Sequence, residues 1–386
     1  MERAVYKGND ETAIEYNDFA SDVIGFWQNR GYLTRPNGFL LNQAPKSLLV
    51  VNSTIAPYID QISPDGEVKI HDVLLQRCVR MNSLGKDNLL SSPDWTTSFV
   101  MGGVVTTETD LQTMINETIN FFTMNQGILR DKLQITVSPT DTTSLNALQG
   151  ANIFGIETVY LNENEEKWVT WQFGIPGPKG QGITLSLKAS EDDGQFLNII
   201  HIDEFIDKDG QVFKLKRPVI DVGFGIERFI NLRGGVKPFE TPLYLKIISQ
   251  ISGNTNDFDG QKRLRVFTVA DNIRTLEFLL DEDIVPDKKG QGYLARRLAR
   301  NIFLNLGMLG SGNLKDRIAD LFVTEQAEVL NRELELFLKT LSLADKIISK
   351  IKPGKFNSVI EASAYLKDTH GIPEEISQVL LQKIFS

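Results

Sequence analysis

Cysteine is almost missing from this chain: Cys78 is the only one in 386 residues. A single thiol excludes an intramolecular disulfide framework and any zinc site built on cysteine. The three histidines, His71, His201 and His370, have no metal-ligand spacing among them, so no structural zinc is expected. No window reaches the about 18 apolar residues of a membrane span. The N-terminal Met-Glu-Arg-Ala-Val-Tyr-Lys also lacks the apolar core of a signal peptide. Positive charge is not in excess either. A net charge of −9 argues against nucleic-acid binding by the whole surface, while leaving room for a local basic patch. These absences predict a reduced, cytoplasmic protein with no membrane partner.

What is present is material for a core. Hydrophobic residues make up 41% of the chain, which at this length suits one large domain and a smaller one. Residues 14–31 carry apolar side chains at helical spacing and stop at Gly31. Short apolar runs at 38–41, 47–52, 73–80 and 96–105 read as strands. After a helical stretch at 107–126, strand-like runs dominate 133–137, 157–172, 183–188, 196–206 and 211–222. A helix is expected at about 224–233. Past residue 240 the pattern becomes helical: 241–252, 265–281, 291–309, 314–350, 357–367 and 373–384. The expected fold is α+β: an antiparallel sheet with flanking helices over 1–240, then an all-helical domain over 241–386. Strands without regular intervening helices favour the antiparallel arrangement.

Three segments carry candidate chemistry. Asp221-Val-Gly-Phe-Gly-Ile-Glu-Arg228 places an acid, two glycines and an arginine within eight residues. A carboxylate suits an α-ammonium, and glycine lets a ligand approach the backbone. Gln76-Arg-Cys-Val-Arg80 offers two arginines at i and i+3, which on a strand face opposite ways. Arg80 is the favoured one, as a guanidinium grips phosphate through two parallel hydrogen bonds. Gly174, Gly177, Gly180 and Gly182 suggest a phosphate-cradling loop, although no nucleotide-binding glycine motif is complete. Residues 286–301 add five positive charges beside Tyr293, a pattern that can meet phosphodiesters. Taken singly, each segment also fits a plainer role: a surface ion pair, a turn, a helix cap, a solvated face.

Taken jointly and in order, they resemble the catalytic core of the alanyl-tRNA synthetases, a class II aminoacyl-tRNA synthetase family. Gln76–Arg80 with Gly85-Lys-Asp-Asn-Leu89 resembles motif 2, and Asp221–Arg228 resembles motif 3. Trp171-Gln-Phe-Gly174, Gly177-Pro-Lys-Gly180 and Asn198-Ile-Ile are similar to intervening family segments. Arg265–Arg274, Gly292–Arg297 and Asp368–Pro373 resemble the helical tRNA-recognition domain.

The resemblance implies ATP and Mg²⁺ as cofactors, a small amino acid (alanine foremost) as substrate, and tRNA as acceptor. It also implies an aminoacyl-adenylate intermediate. By position, Arg80, Arg228 and Lys86 would be catalytic, with Phe99 and Gly225 joining the two arginines around ATP. Trp171, Asn198, Asp221 and Gly223 would hold the amino acid; Lys288, Arg296 and Arg297 would meet tRNA. Thr184, Gln195 and Val100 stand where the family carries carboxylates. The editing and C-terminal oligomerisation regions are not expected. A paralogue that passes the amino acid to a carrier protein or small metabolite, or one that only binds, would share this pattern.

Overall fold

The computed structural model describes Tyr6 and residues 11–35, 48–80, 96–162, 170–188, 194–252, 260–310, 312–350 and 356–370, with Ile372, Ser377 and Leu381. The chain divides into two compact units, Met1–Leu245 and Lys246–Ser386.

The first unit is built on a nine-stranded sheet. Its strands are β1 (Leu33–Thr34), β2 (His71–Val79), β3 (Ser98–Thr106), β4 (Leu133–Val137), β5 (Glu157–Tyr160), β6 (Thr170–Gln172), β7 (Gly177–Leu187), β8 (Gln195–Ile206) and β9 (Val212–Gly225). They lie in the order β1-β2-β3-β9-β8-β7-β4-β5, with β6 paired to β7. The interior is antiparallel as expected, while the two outermost pairings, β1 with β2 and β4 with β5, are parallel. Between β4 and β5 the crossover is a helix, α3 below.

Helices α1 (Glu11–Gln28) and α2 (Leu111–Asn120) cover one face of this sheet. In α1, Tyr16, Phe19, Ala20, Val23, Phe26 and Trp27 recur at three- and four-residue spacing and are buried. The chain turns back after α1 at Gly31, whose φ of +92° suits a residue without Cβ. Asp110 caps α2 by accepting from Thr113 N at 2.8 Å, and the helix runs on into a π-helical turn at Phe121–Asn125. Phe19, Phe121 and Phe122 meet Phe224 of β9 at ring-centroid distances of 5.4 to 6.3 Å.

Sequence periodicity misassigned several stretches. Residues 48–52 form no strand; they lead into a 3₁₀ helix at Ala56–Gln61 that lies on the other face of the sheet. Helix α3 (Thr142–Gly150), with Asp141 as its cap, was missed because its polar Thr-Thr-Ser-Leu-Asn start masks the apolar face. Gly177, Gly180 and Gly182 belong to β7, not to a loop. A Cβ at Gly180 or Gly182 would stand 2.2 or 1.9 Å from a carbonyl oxygen of β8, so these glycines answer to strand packing. The run 38–41 lies outside the described residues.

Helix α4 (Ile226–Gly234) follows β9 directly, and α5 (Pro242–Ser252) follows a short 3₁₀ turn. The second unit contains α6 (Gly260–Leu280), α7 (Gly290–Met308), α8 (Leu314–Leu321), α9 (Thr324–Ile348) and α10 (Val359–His370). The expected single helix at 314–350 is broken at Phe322 and Val323, which are extended. Helix α6 is buried almost all round, including Asp271, Asn272 and Arg274. Among the described residues no helix is long and apolar enough to cross a membrane.

Candidate functional site

Strand register decides which candidates meet. Gly103 of β3 pairs with Gly223 of β9, Val105 with Asp221, and Met101 with Gly225. On the other side of β9, Gly223 pairs with Asn198 and Asp221 with Ile200. Asn198 in turn pairs with Thr184 of β7. Side chains directly opposite across a sheet share a face. Asp221, Gly223, Gly225, Asn198, Thr184, Phe99, Met101 and Gly103 therefore lie on the face away from the aromatic core. Val222 and Phe224, alternating with them, point into that core.

At one end of this face stands Asp221, 7% exposed. Its Oδ1 accepts from the Thr54 hydroxyl at 2.7 Å. Burial pushes its carboxyl up to about 7, against the smaller lowering effect of the Thr54 hydrogen bond. A group poised there is charged when an ammonium approaches and neutral when the site is empty and mildly acidic. Trp171 pairs with Gly180 through the β6–β7 ladder and packs on the apolar cluster of Ile55, Tyr58, Val105 and Ile200. That places it at the Asp221 end.

The floor between is made of small residues. A Cβ at Gly103 would stand 1.9 Å from the Val222 carbonyl oxygen, and one at Gly223 would stand 2.6 Å from Met101 Cε. Asn198 is exposed, and its Oδ1 accepts from the buried Thr184 hydroxyl at 2.8 Å, which fixes the direction of the amide.

At the other end, Arg80 lies just past β2, with its guanidinium carbon 5.0 Å from the Phe99 ring centroid. Its Nε donates to Asn52 O at 3.3 Å, and much of the residue is open to solvent. Arg228 is on the first turn of α4, and its Nε donates to Gln195 O at 3.0 Å. Cys78 sits in the cluster with Val51, Ala56 and Met101. Burial raises its thiol well above the ordinary range, which removes it as a nucleophile.

Lys86 lies outside the described residues. Lys288, Arg296 and Arg297 belong to the second unit. Lys288 is exposed just before α7. Arg296 donates from Nε to Glu333 at 3.3 Å and Arg300 does the same at 2.7 Å; Glu333 is 3% exposed. Two arginines of the basic run thus serve a buried carboxylate of α9.

Two residues of the site carried no assigned role in the sequence reading. Thr54 gave no local signal, since its partner Asp221 is 167 residues away. Glu227 stood inside the quoted motif. Its carboxylate accepts from Val100 N at 3.0 and 3.2 Å, where β9 has left the sheet and β3 has lost its backbone partner.

The resemblance implies Mg²⁺, which needs hard oxygen donors and takes one or two carboxylates beside substrate phosphates. Thr184, Gln195 and Val100 offer a hydroxyl, an amide and an aliphatic group, and the nearby Glu227 carboxylate is engaged by Val100 N. Among the described residues no group of three or more His, Cys, Asp or Glu could hold a metal ion. Neither these three positions nor Glu227, already accepting from Val100 N, fits the carboxylate that Mg²⁺ would need here.

Comparison with known proteins identifies the family. The family model of class II (A) tRNA synthetases matches residues 20–384. The alanine–tRNA ligase of Thermotoga maritima is 32% identical over 52% of this chain and 25% of its own length. That of Streptococcus thermophilus is 25% identical over 93% of this chain and 46% of its own. A solved apo histidyl-tRNA synthetase from S. aureus matches 77% of this chain and 88% of its own at 9% identity, with a TM-score of 0.36. The chain thus spans from a quarter to just under half the length of these curated relatives.

Proposed function

This chain belongs to the class II (A) tRNA synthetases, and on that premise we propose that it is an ATP-dependent, AMP-forming ligase. Its substrate would be a small amino acid, alanine foremost, and its acceptor tRNA. The observation that carries this reading is the single sheet face holding Asp221, the glycine floor, and Phe99 with Arg80 in line. Val105, opposite Asp221, is six residues from Phe99 along β3. At ~3.4 Å per residue that gives roughly 20 Å, room for amino acid, phosphate and base laid end to end.

In this arrangement Asp221 binds the α-ammonium, Trp171 and Asn198 wall the amino acid, and Gly223 lies beside them, its missing side chain making room for Thr54 and Met101. Phe99 stacks on the adenine. The amino-acid carboxylate oxygen attacks the α-phosphorus in line; a P–O bond forms there and the bond to pyrophosphate breaks. Arg80 neutralises the charge on the α-phosphate, and Arg228, with Gly225 beneath it, takes the leaving phosphates. A terminal hydroxyl of tRNA then attacks the acyl carbon and AMP leaves. No protein nucleophile is needed; positioning and charge neutralisation lower the barrier. No step is routed through a protein-bound metal. Lys86 is assigned to the reacting phosphate, and Lys288, Arg296 and Arg297 to the tRNA, in a cytoplasmic setting.

A second reading differs only in the acceptor, a carrier protein or small metabolite in place of tRNA. The contact of Arg296 Nε with buried Glu333 favours it, since part of the charge offered to a phosphodiester is already balanced within the protein.

Amino-acid-dependent ATP–pyrophosphate exchange tests the first step. Exchange with alanine or another small amino acid, abolished in Asp221→Ala, is the expected outcome. No exchange with any of the natural amino acids, from protein of native secondary structure, would sink the reading. Aminoacylation of total tRNA then separates the two acceptors.

A further inference from the structure

Thr54 reaches the candidate amino-acid pocket from outside the sheet. It is fully buried, in the turn between Val51 and the 3₁₀ helix. That turn is pinned at both sides: Val79 N donates to Val51 O at 3.0 Å, and Arg80 Nε donates to Asn52 O at 3.3 Å. The hydroxyl of Thr54 donates to Asp221 Oδ1 at 2.7 Å. Thr54 Oγ1 is 3.1 Å from where a Cβ of Gly223 would stand, and the Thr54 methyl is 3.0 Å from where one of Gly103 would stand. One side chain therefore touches the acid and both glycines of the floor.

We propose that Thr54 positions Asp221 and limits the size of the amino acid. Its hydroxyl occupies one carboxylate oxygen and leaves Oδ2 for an ammonium, while its methyl covers the glycine floor. The space that remains takes an α-amino acid whose side chain is hydrogen or methyl. This inference rests on the amino-acid-activation reading above and adds the size limit to it.

The two parts of the side chain separate experimentally. Thr54→Ser keeps the hydroxyl and removes the methyl; Thr54→Val keeps the bulk and removes the hydroxyl. A one-group difference in a pocket is worth on the order of tenfold in specificity. In pyrophosphate exchange, Thr54→Ser should raise the serine-to-alanine ratio of kcat/KM about tenfold. Thr54→Val should keep that ratio within about twofold and raise the KM for alanine about tenfold. It should also move the acid limb of the pH profile upward, because the Asp221 carboxylate loses a donor that favours its charged form.

Calorimetric titration of wild type and both variants with alanine and with serine, without ATP, runs beside the exchange assay. If both variants keep the wild-type ratio, KM and pH limb and only melt lower, Thr54 is structural and the inference is overturned. Binding that follows the expected pattern without any exchange keeps the inference and removes the activation reading. Folded wild type that binds neither amino acid removes both.

Discussion

The two faces of β9 make opposite use of one strand. Val222 and Phe224 point into an aromatic core in which Phe122 meets Phe224 at 5.4 Å and Phe229 at 4.8 Å. Asp221 and Gly223, one residue out of phase, face Thr54 and Met101 on the opposite side. The first face supplies burial and the second supplies chemistry, and the period of two along a strand keeps them from interfering. Once ionised, the buried Asp221 carboxylate opposes folding, and the dense packing on the reverse side of β9 offsets that cost.

The largest effect should come from breaking the packed face. Phe224→Ala removes a ring that is 1% exposed and should cost about 3–5 kcal/mol in urea denaturation. Substrate affinity of the folded fraction should change little.

The next effect sharpens the contrast through pH. Asp221 in the folded protein titrates near 7, above the ordinary 3.8. Its protonated form is therefore favoured on folding, a contribution fully present below about pH 4 and lost as pH rises through 7. Asp221→Asn is neutral throughout. Its stability relative to wild type should thus increase between pH 4 and pH 8 by on the order of 2–4 kcal/mol, measured as paired urea midpoints. A pH-independent difference would contradict the buried, raised carboxyl.

The two floor glycines give a finer test. A Cβ at Gly103 meets a backbone carbonyl, which cannot swing away, so Gly103→Ala should destabilise by about 2 kcal/mol or more. A Cβ at Gly223 meets the end of a flexible methionine, so Gly223→Ala should cost only about 1 kcal/mol. Its main effect should be a raised KM for the amino acid in pyrophosphate exchange. Equal melting losses for the two would show that the floor is uniformly rigid.

Much of this was legible in the chain. The strand-like run at 211–222 and the acid with two glycines at its end marked the segment as a site, while β3–β9 register puts all three on one face. Arg80 and Phe99 were assigned to one substrate from separate segments, and the register of β2 and β3 brings them into stacking contact. What stayed hidden depends on partners far away in sequence. Glu333 lies 37 residues from Arg296, so the basic run of α7 looked like a solvated or tRNA-facing patch. The glycines at 177–182 looked like a loop because glycine and proline mark turns locally, whereas here they admit a neighbouring backbone. Thr54 lacked any pattern at all.

The Glu227–Val100 contact has a consequence for sequence length. Strand passes into helix at Gly225 with no linker, and the carboxylate two residues later finishes the hydrogen bonding of β3. One residue inserted between Gly225 and Arg228 would turn the guanidinium about 100° around the helix axis and pull Glu227 off its amide. Spacing in this segment is as constrained as residue identity. A library that varies the side chains here can yield graded enzymes, whereas one that varies the length should yield only inactive ones.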